Sequence, residues 1–202
     1  MTLDRQRQRI LAQVRDYAGQ KEQREPFIPG QTPVPPAGRV LDAEAYVAMV
    51  DAALDGWLTT GRFNDEFERL IAQRIGVKRA LTTNSGSSAN LLALSALTSP
   101  LLGERALKPG DEVITAAAGF PTTINPILQN GLVPVFVDSG LPTYNPTPQT
   151  IGAAIGPRTR AIMLAHALGN PFEAAELRRL ADQHGVWLVE DCCDAFGSLL
   201  HG

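Results

Sequence analysis

The sequence predicts an α/β domain whose sheet is mainly parallel and covered by helices on both faces. Two observations carry that expectation. From about residue 41 onward, apolar β-branched segments alternate with segments of helical period. The strand-like segments VPVFV (133–137) and AIMLA (161–165) are unbroken apolar runs, as expected of strands buried on both sides. No internal repeat or low-complexity tract competes with this reading.

In chain order, residues 3–17 carry Leu3, Ile10, Leu11, Val14 and Tyr17 among many charges, which predicts a short helix with one packed and one wet face. Residues 26–38, PFIPGQTPVPPAG, hold too much proline for a helix or a central strand and are expected to form an extended arm. Residues 1–40 therefore read as an N-terminal helix and proline-rich arm, and residues 41–202 as the domain proper. Asp42 is placed to cap a helix carrying Tyr46, Val47, Met49, Val50 and Leu54. Asn64 opens the next, with Phe67, Leu70, Ile71 and Ile75 at helical spacing and Gly76 positioned to end it. Strands are expected at 79–83, 112–115, 133–137, 161–165 and 187–190. Helices separate them at about 88–97, 122–130, 148–155 and 173–184; Thr147 and Pro148 start the third, and Gly185 stops the fourth.

The chain has 202 residues, enough for one domain with a core of its own. Its 18 basic and 21 acidic residues give a net charge of −3, which does not draw a protein to nucleic acid or to an anionic membrane. A small ligand fits that balance better. No run of about 18 apolar residues occurs, and the N-terminus lacks the apolar centre of a signal peptide. Only Cys192 and Cys193 are present, adjacent and unsuited to a disulfide framework, so a reducing, cytoplasmic setting without membrane insertion is expected.

Ligands of α/β sheets collect at the carboxyl ends of the strands, and three of those ends are unusual. In LTTNSGSSAN, residues Ser85, Gly86, Ser87 and Ser88 precede a helix whose free amides and hydroxyls could hold a phosphate. An ordinary turn and cap would use the same residue types. In VITAAAGFPTTIN, Phe120 falls at the ligand edge, where its ring could stack on a flat cofactor; burial in the core is the other fate of such a Phe. In WLVEDCCDAFGS, a strand ends in Glu190 and Asp191, with Asp194 following. A buried carboxylate needs a cation or donors, and a protonated pyridine nitrogen is one such partner. A metal held by Asp191, Asp194, Cys192, Cys193 and His166 is the competing idea. Adjacent cysteines on a strand point to opposite faces, and no spaced Cys or His pair joins them, so no metal is assigned.

Taken in order, SGSSAN, GDEVI with AGFPTTIN, VPVFVD, AHALGN and VEDCCDAFGS resemble the large domain of the DegT/DnrJ/EryC1/StrS sugar aminotransferase family, from about residue 41 to the end. Within it, GWLTTGRFNDEFE, TNSGSSANLLALSALTSP and EDCCD are most similar to the branch of 3-dehydratases acting on CDP-4-keto-6-deoxyglucose in lipopolysaccharide dideoxysugar synthesis. The resemblance implies the aspartate aminotransferase-like (type I) pyridoxal phosphate fold, whose sheet has more strands than the five expected here; the large domain would be incomplete. It also implies that Gly86, Ser87 and Ser88 bind the cofactor phosphate, that Phe120 stacks on the pyridine ring, and that Asp191 pairs with the ring nitrogen and keeps it protonated. Asp194 stands where ordinary members usually carry Gln near the ring hydroxyl, a departure that favours the dehydratase branch. His166 and Asn170 match a segment near the family's active site, with a satisfied core histidine as the other reading of His166.

The resemblance further implies, in aminotransferases, a lysine after the EDC-like strand that binds pyridoxal phosphate. In the dehydratase branch a histidine replaces it, the cofactor is used as pyridoxamine phosphate on a 4-keto sugar, and the histidine removes a proton so that the 3-hydroxyl leaves. Cysteines for a two-iron iron–sulfur cluster, reduced by a partner reductase, would follow. No catalytic residue is assigned here: the acid–base His or Lys is expected beyond residue 202, His201 comes too early, and two adjacent cysteines cannot supply four ligands. The expectation is a truncated dehydratase chain, inactive alone, with a CDP-sugar as substrate of the complete enzyme. It is expected to be homodimeric, with the helix and arm before residue 41 as candidate contacts. A nucleotide-sugar aminotransferase and a non-catalytic fragment are the alternatives; the downstream lysine or histidine separates the first, and cofactor binding the second.

Overall fold

The computed structural model describes residues 2–21, 26–34, 38 and 40–200; residues 35–37 of the proline-rich arm, and His201, lie outside them. The chain divides into two compact units, residues 1–81 and 82–202.

The first unit is helical. Helix α1 (Leu3–Lys21) continues past the expected end at Tyr17, running through Gly19 with no proline to stop it and ending on Lys21, which suits the negative end of the helix dipole. Helix α2 (Ala43–Leu54) begins as expected, with the Asp42 carboxylate accepting from the Ala45 amide at 2.8 Å. Helix α3 (Arg62–Ile75) starts two residues before Asn64, on a Gly61 cap that makes no side-chain bond, and ends at Gly76, whose φ of 78° is the left-handed conformation a C-terminal glycine supplies. The described arm residues 26–34 form a turn and no helix or strand. The strand expected at 79–83 is absent: the segment pairs with no strand among the described residues, and Leu81 is exposed. Residue type alone does not make a strand when no neighbouring strand is there to extend a ladder with it.

The second unit holds α4 (Gly86–Ala96), β1 (Glu112–Ala116), α5 (Pro121–Gln129), β2 (Val133–Val137), α6 (Pro148–Ala154), β3 (Thr159–Ala165), α7 (Ala174–His184) and β4 (Trp187–Asp191). The four strands form one sheet in the order β2-β1-β3-β4, and every pairing is parallel. Two short 3-10 stretches, Pro100–Arg105 and Ala167–Gly169, escaped the periodicity reading because they are too short to show a period.

Both faces of the sheet are covered, and the strand period of two sorts the side chains between them. Ile114, Ile162 and Leu164 pack with Ile151 of α6, Leu177 and Ala181 of α7, and Phe172. Val113, Ala161 and Met163 pack on the other side with Leu94 of α4 and Ile127 of α5. The run AIMLA is therefore buried on both sides, as its composition predicts. VPVFV differs. Strand β2 is an edge among the described residues, with Phe136 53% exposed, so a fully apolar run does not there mean burial on two faces. Among the described residues no helix is long and apolar enough to cross a membrane.

The connections locate the crevice. The chain leaves β1 towards β2 on one side and leaves β3 towards β4 on the other, so the carboxyl ends of β1 and β3 diverge. Ligands of open α/β sheets bind where successive connections part in this way.

Candidate functional site

A cavity of about 380 Å³ opens at that divergence, a size typical of small-molecule sites. Its floor is Thr115 and Ala116 at the end of β1 and Ala165 at the end of β3, and its sides include Phe120, Tyr144, Leu168 and Asp194. Phe120 gets there because Pro121 occupies the first turn of α5 and leaves Phe120 as the extended cap residue. The residue is 69% exposed, which argues against the core fate open to it from sequence. Tyr144 and Leu168 both adopt positive φ, 59° and 55°, a conformation with a real cost for side-chain-bearing residues. The two loops that carry them are laced together: Asn145 Nδ2 donates to the Asn170 carbonyl at 2.8 Å, and Asn170 Nδ2 to the Thr143 carbonyl at 3.1 Å.

Asp191 ends β4 next to this cavity, and the donors that sequence reasoning required for it are present. Its Oδ2 accepts from Asn90 Nδ2 at 2.8 Å and from Thr123 Oγ1 at 2.7 Å; its Oδ1 accepts from the Cys193 amide at 3.1 Å. Asn90 and Thr123 are themselves 8% and 3% exposed. Every partner is a donor, an arrangement suited to a carboxylate. Thr123 also lines the cavity, and its amide bonds the Phe120 carbonyl at 3.0 Å, so Asp191 and Phe120 are joined through one residue.

Helix α4 begins beside the same turn. A methyl group added at Gly86 would lie 3.9 Å from Cys193 Sγ. The Ser85 hydroxyl caps the helix by accepting from the Ser88 amide at 3.2 Å, and it donates to the Ser88 hydroxyl. That leaves the amides of Gly86 and Ser87 as the first-turn donors with no helix carbonyl in front of them. Of the three residues expected to take a phosphate, Gly86 and Ser87 offer amides, and Ser88 offers its hydroxyl alone.

His166 stands apart from this cluster. It is buried and stacked on Phe172, with ring centroids 3.9 Å apart. The Phe172 amide donates to Nδ1 at 3.3 Å, which puts the ring proton of the neutral form on Nε2, 3.1 Å from Glu190 Oε2. Both nitrogens are engaged, which is the satisfied core histidine. The residues of the competing metal idea do not gather either, and no group of three or more His, Cys, Asp and Glu side chains among the described residues could hold an ion. Burial, and then the Glu190 and Asp191 carboxylates, push the Cys192 thiol above its ordinary value and away from the thiolate a metal would need.

Sequence reasoning missed Asn90, Thr123 and Ser139. Asn90 leaves one signal, an amide inside the apolar run ANLLALSAL. Ser139 lines the cavity, and its Oγ is buried with no hydrogen-bond partner among the described residues, a condition that a bound polar ligand would relieve. A flat phosphorylated pyridine fits what is present: free amides at the start of a helix, an exposed aromatic face, a carboxylate with spare acceptor capacity and an unmatched hydroxyl.

A sequence pattern describing the DegT/DnrJ/EryC1/StrS aminotransferase family matches residues 40–202. The chain is 58% identical over 202 residues to the lipopolysaccharide biosynthesis protein RfbH of Salmonella typhimurium, covering all of this chain and 46% of that protein. It is 60% identical over 195 residues to a dTDP-4-dehydro-2,6-dideoxy-D-glucose 3-dehydratase of Saccharopolyspora spinosa, covering 96% of this chain and 42% of the relative. The chain thus spans less than half the length of these relatives. Among solved structures, a GDP-4-keto-6-deoxymannose-3-dehydratase with a trapped PLP-glutamate geminal diamine superposes with a TM-score of 0.76 at 31% identity, over 83% of this chain and 43% of that one.

Proposed function

The chain belongs to the DegT/DnrJ/EryC1/StrS aminotransferase family, and from that membership we propose that it forms the cofactor-holding part of a pyridoxal or pyridoxamine phosphate-dependent 3-dehydratase of nucleotide-linked 4-keto-6-deoxy sugars. The observation that carries the proposal is the meeting of three separated segments beside the strand-end cavity: Phe120 and Thr123 line it, Asp191 bonds Thr123, and Gly86 lies against the Cys193 side chain that follows Asp191. Dehydration rather than transamination is favoured by Asp194 on the cavity wall, where ordinary members usually carry Gln, and by the 3-dehydratase named among the relatives. A CDP-linked sugar is the proposed substrate of the complete enzyme. A homodimer and an electron-donating reductase are its proposed partners.

In this reading the amides of Gly86 and Ser87, with the Ser88 hydroxyl, hold the phosphate at the positive end of α4. Phe120 covers one face of the ring. Asp191 faces the pyridine nitrogen and holds a proton on it. The group supplies, when bound, an electron sink for charge that develops on a keto sugar. Ile124, Leu168 and Tyr144 give the cavity apolar walls against which a flat ring could pack.

Titrating the purified chain with pyridoxamine phosphate and following its fluorescence tests the proposal. Asp191→Ala is expected to weaken binding by at least about tenfold, the scale of one lost charge-assisted hydrogen bond. Equal affinity in the two proteins would remove Asp191 from the site and, with it, the central contact of the proposal.

A further inference from the structure

We propose that Asn90 and Thr123 are positioning residues that fix the Asp191 carboxylate by saturating its Oδ2, so that Oδ1 is the oxygen presented to the pyridine nitrogen. The inference rests on the cofactor reading above and goes beyond it by naming how the aspartate is aimed.

A carboxylate oxygen has two lone pairs directed roughly in its plane. Oδ2 already receives two donors at short range, Asn90 Nδ2 at 2.8 Å and Thr123 Oγ1 at 2.7 Å. Its acceptor capacity is used. Oδ1 receives the Cys193 amide alone, at 3.1 Å, and keeps one lone pair free. The two fixing side chains come from different helices, α4 and α5, which pack together on one face of the sheet, while Asp191 comes from the end of β4. Asn90 is tied down in turn, since its Nδ2 also reaches the Thr122 carbonyl at 3.3 Å. The Asp191 carbonyl receives the His166 amide at 3.1 Å, which fixes the main chain behind the carboxylate. With the backbone and one oxygen both held, the carboxylate is oriented before any ligand arrives, and that pre-orientation is what a contact to a ring nitrogen needs.

Thr123 lets the role be separated from packing. Thr123→Val keeps the shape and loses the hydroxyl; Thr123→Ser keeps the hydroxyl and loses the methyl. A residue that only fills space would tolerate Val better than Ser, and a positioning residue the reverse.

The experiment uses the whole chain with pyridoxamine phosphate carrying a nitrogen-15 pyridine. The ring nitrogen's chemical shift is followed against pH, with the dissociation constant measured alongside. In the parent chain the nitrogen is expected to keep its proton to higher pH than in free cofactor. Thr123→Val and Asn90→Leu should lower the midpoint of proton loss by about one pH unit and weaken binding by about tenfold, whereas Thr123→Ser should stay near the parent. A midpoint that moves in Asp191→Ala but not in Thr123→Val, or that moves more in Thr123→Ser than in Thr123→Val, overturns the positioning role and leaves the cofactor reading standing. A parent chain whose ring nitrogen titrates as in free cofactor, or as in Asp191→Ala, overturns that reading and the inference with it. Should Asn90→Leu not fold, the two Thr123 variants decide the matter by themselves.

Discussion

A side chain at Gly169 would put its Cβ 2.9 Å from the Asp194 carbonyl oxygen, closer than real Cβ contacts come, and the residue's φ is +78°. Both conditions exclude anything but glycine, and the reason is local to the site: the loop after β3 is pressed against the turn after β4, where the Ser198 hydroxyl also donates to the Gly169 carbonyl at 3.0 Å. Gly169→Ala is expected to cost about 1–3 kcal/mol, measured by urea unfolding, because the strain cannot relax without moving the Asp194 main chain. At this scale the placement of Phe120 in the loop after β1 and of Asp191 at the end of β4 was legible in the sequence, since both follow from where the strands stop. Asn90 was not. Its partner lies 101 positions away in the chain, and no local pattern records a contact between the middle of one helix and the end of a distant strand.

Among the elements, α1, α2 and α3 are joined by charge more than by burial. Arg7 donates to Asp51 and Asp55 at 2.6 Å each, and Arg62 donates to the same two carboxylates at 2.5 and 2.9 Å. Hydrogen bonds from Arg62 first and from Arg7 second hold both carboxyls below their ordinary values. A carboxylate depressed in the folded state binds its proton more weakly there than in the unfolded chain. Its stabilising contribution is therefore present above the ordinary carboxylate range and is lost as pH falls through the folded value. Helicity of the first unit is expected to decline with acid in that range and to decline earlier in concentrated salt, which screens exposed pairs. In Arg62→Gln the acid dependence should flatten, a difference visible by circular dichroism; an identical acid profile would show that the network contributes nothing. Capping at this scale was readable in advance: Asp42, Thr147, Gly76 and Gly185 act where their residue types predicted.

For the whole molecule, the central strands dominate. Met163 and Leu164 are both fully buried, yet they face opposite layers, one against α4 and α5 and the other against α6 and α7. Met163→Ala and Leu164→Ala are each expected to destabilise the chain by about 2–5 kcal/mol, with a double variant near the sum because the sheet separates the two cavities. Phe136→Ser on the edge strand should change stability by far less. Urea midpoints for the four proteins check the ranking, and a large loss at Phe136 would show that its exposed face is covered in solution.

The sequence by itself determined the layer order, the parallel sheet and most caps, because each follows from local periodicity or from a single residue's backbone preference. Tertiary structure alone decided three things. Residues 79–83 are not a strand, since they join no sheet ladder among the described residues. His166 turns to Phe172 and Glu190 instead of the cavity. The Asp191 carboxylate is fixed by Asn90 and Thr123. In each case the outcome depends on which distant segment arrives opposite the residue, and that is set by packing, not by neighbours in the chain.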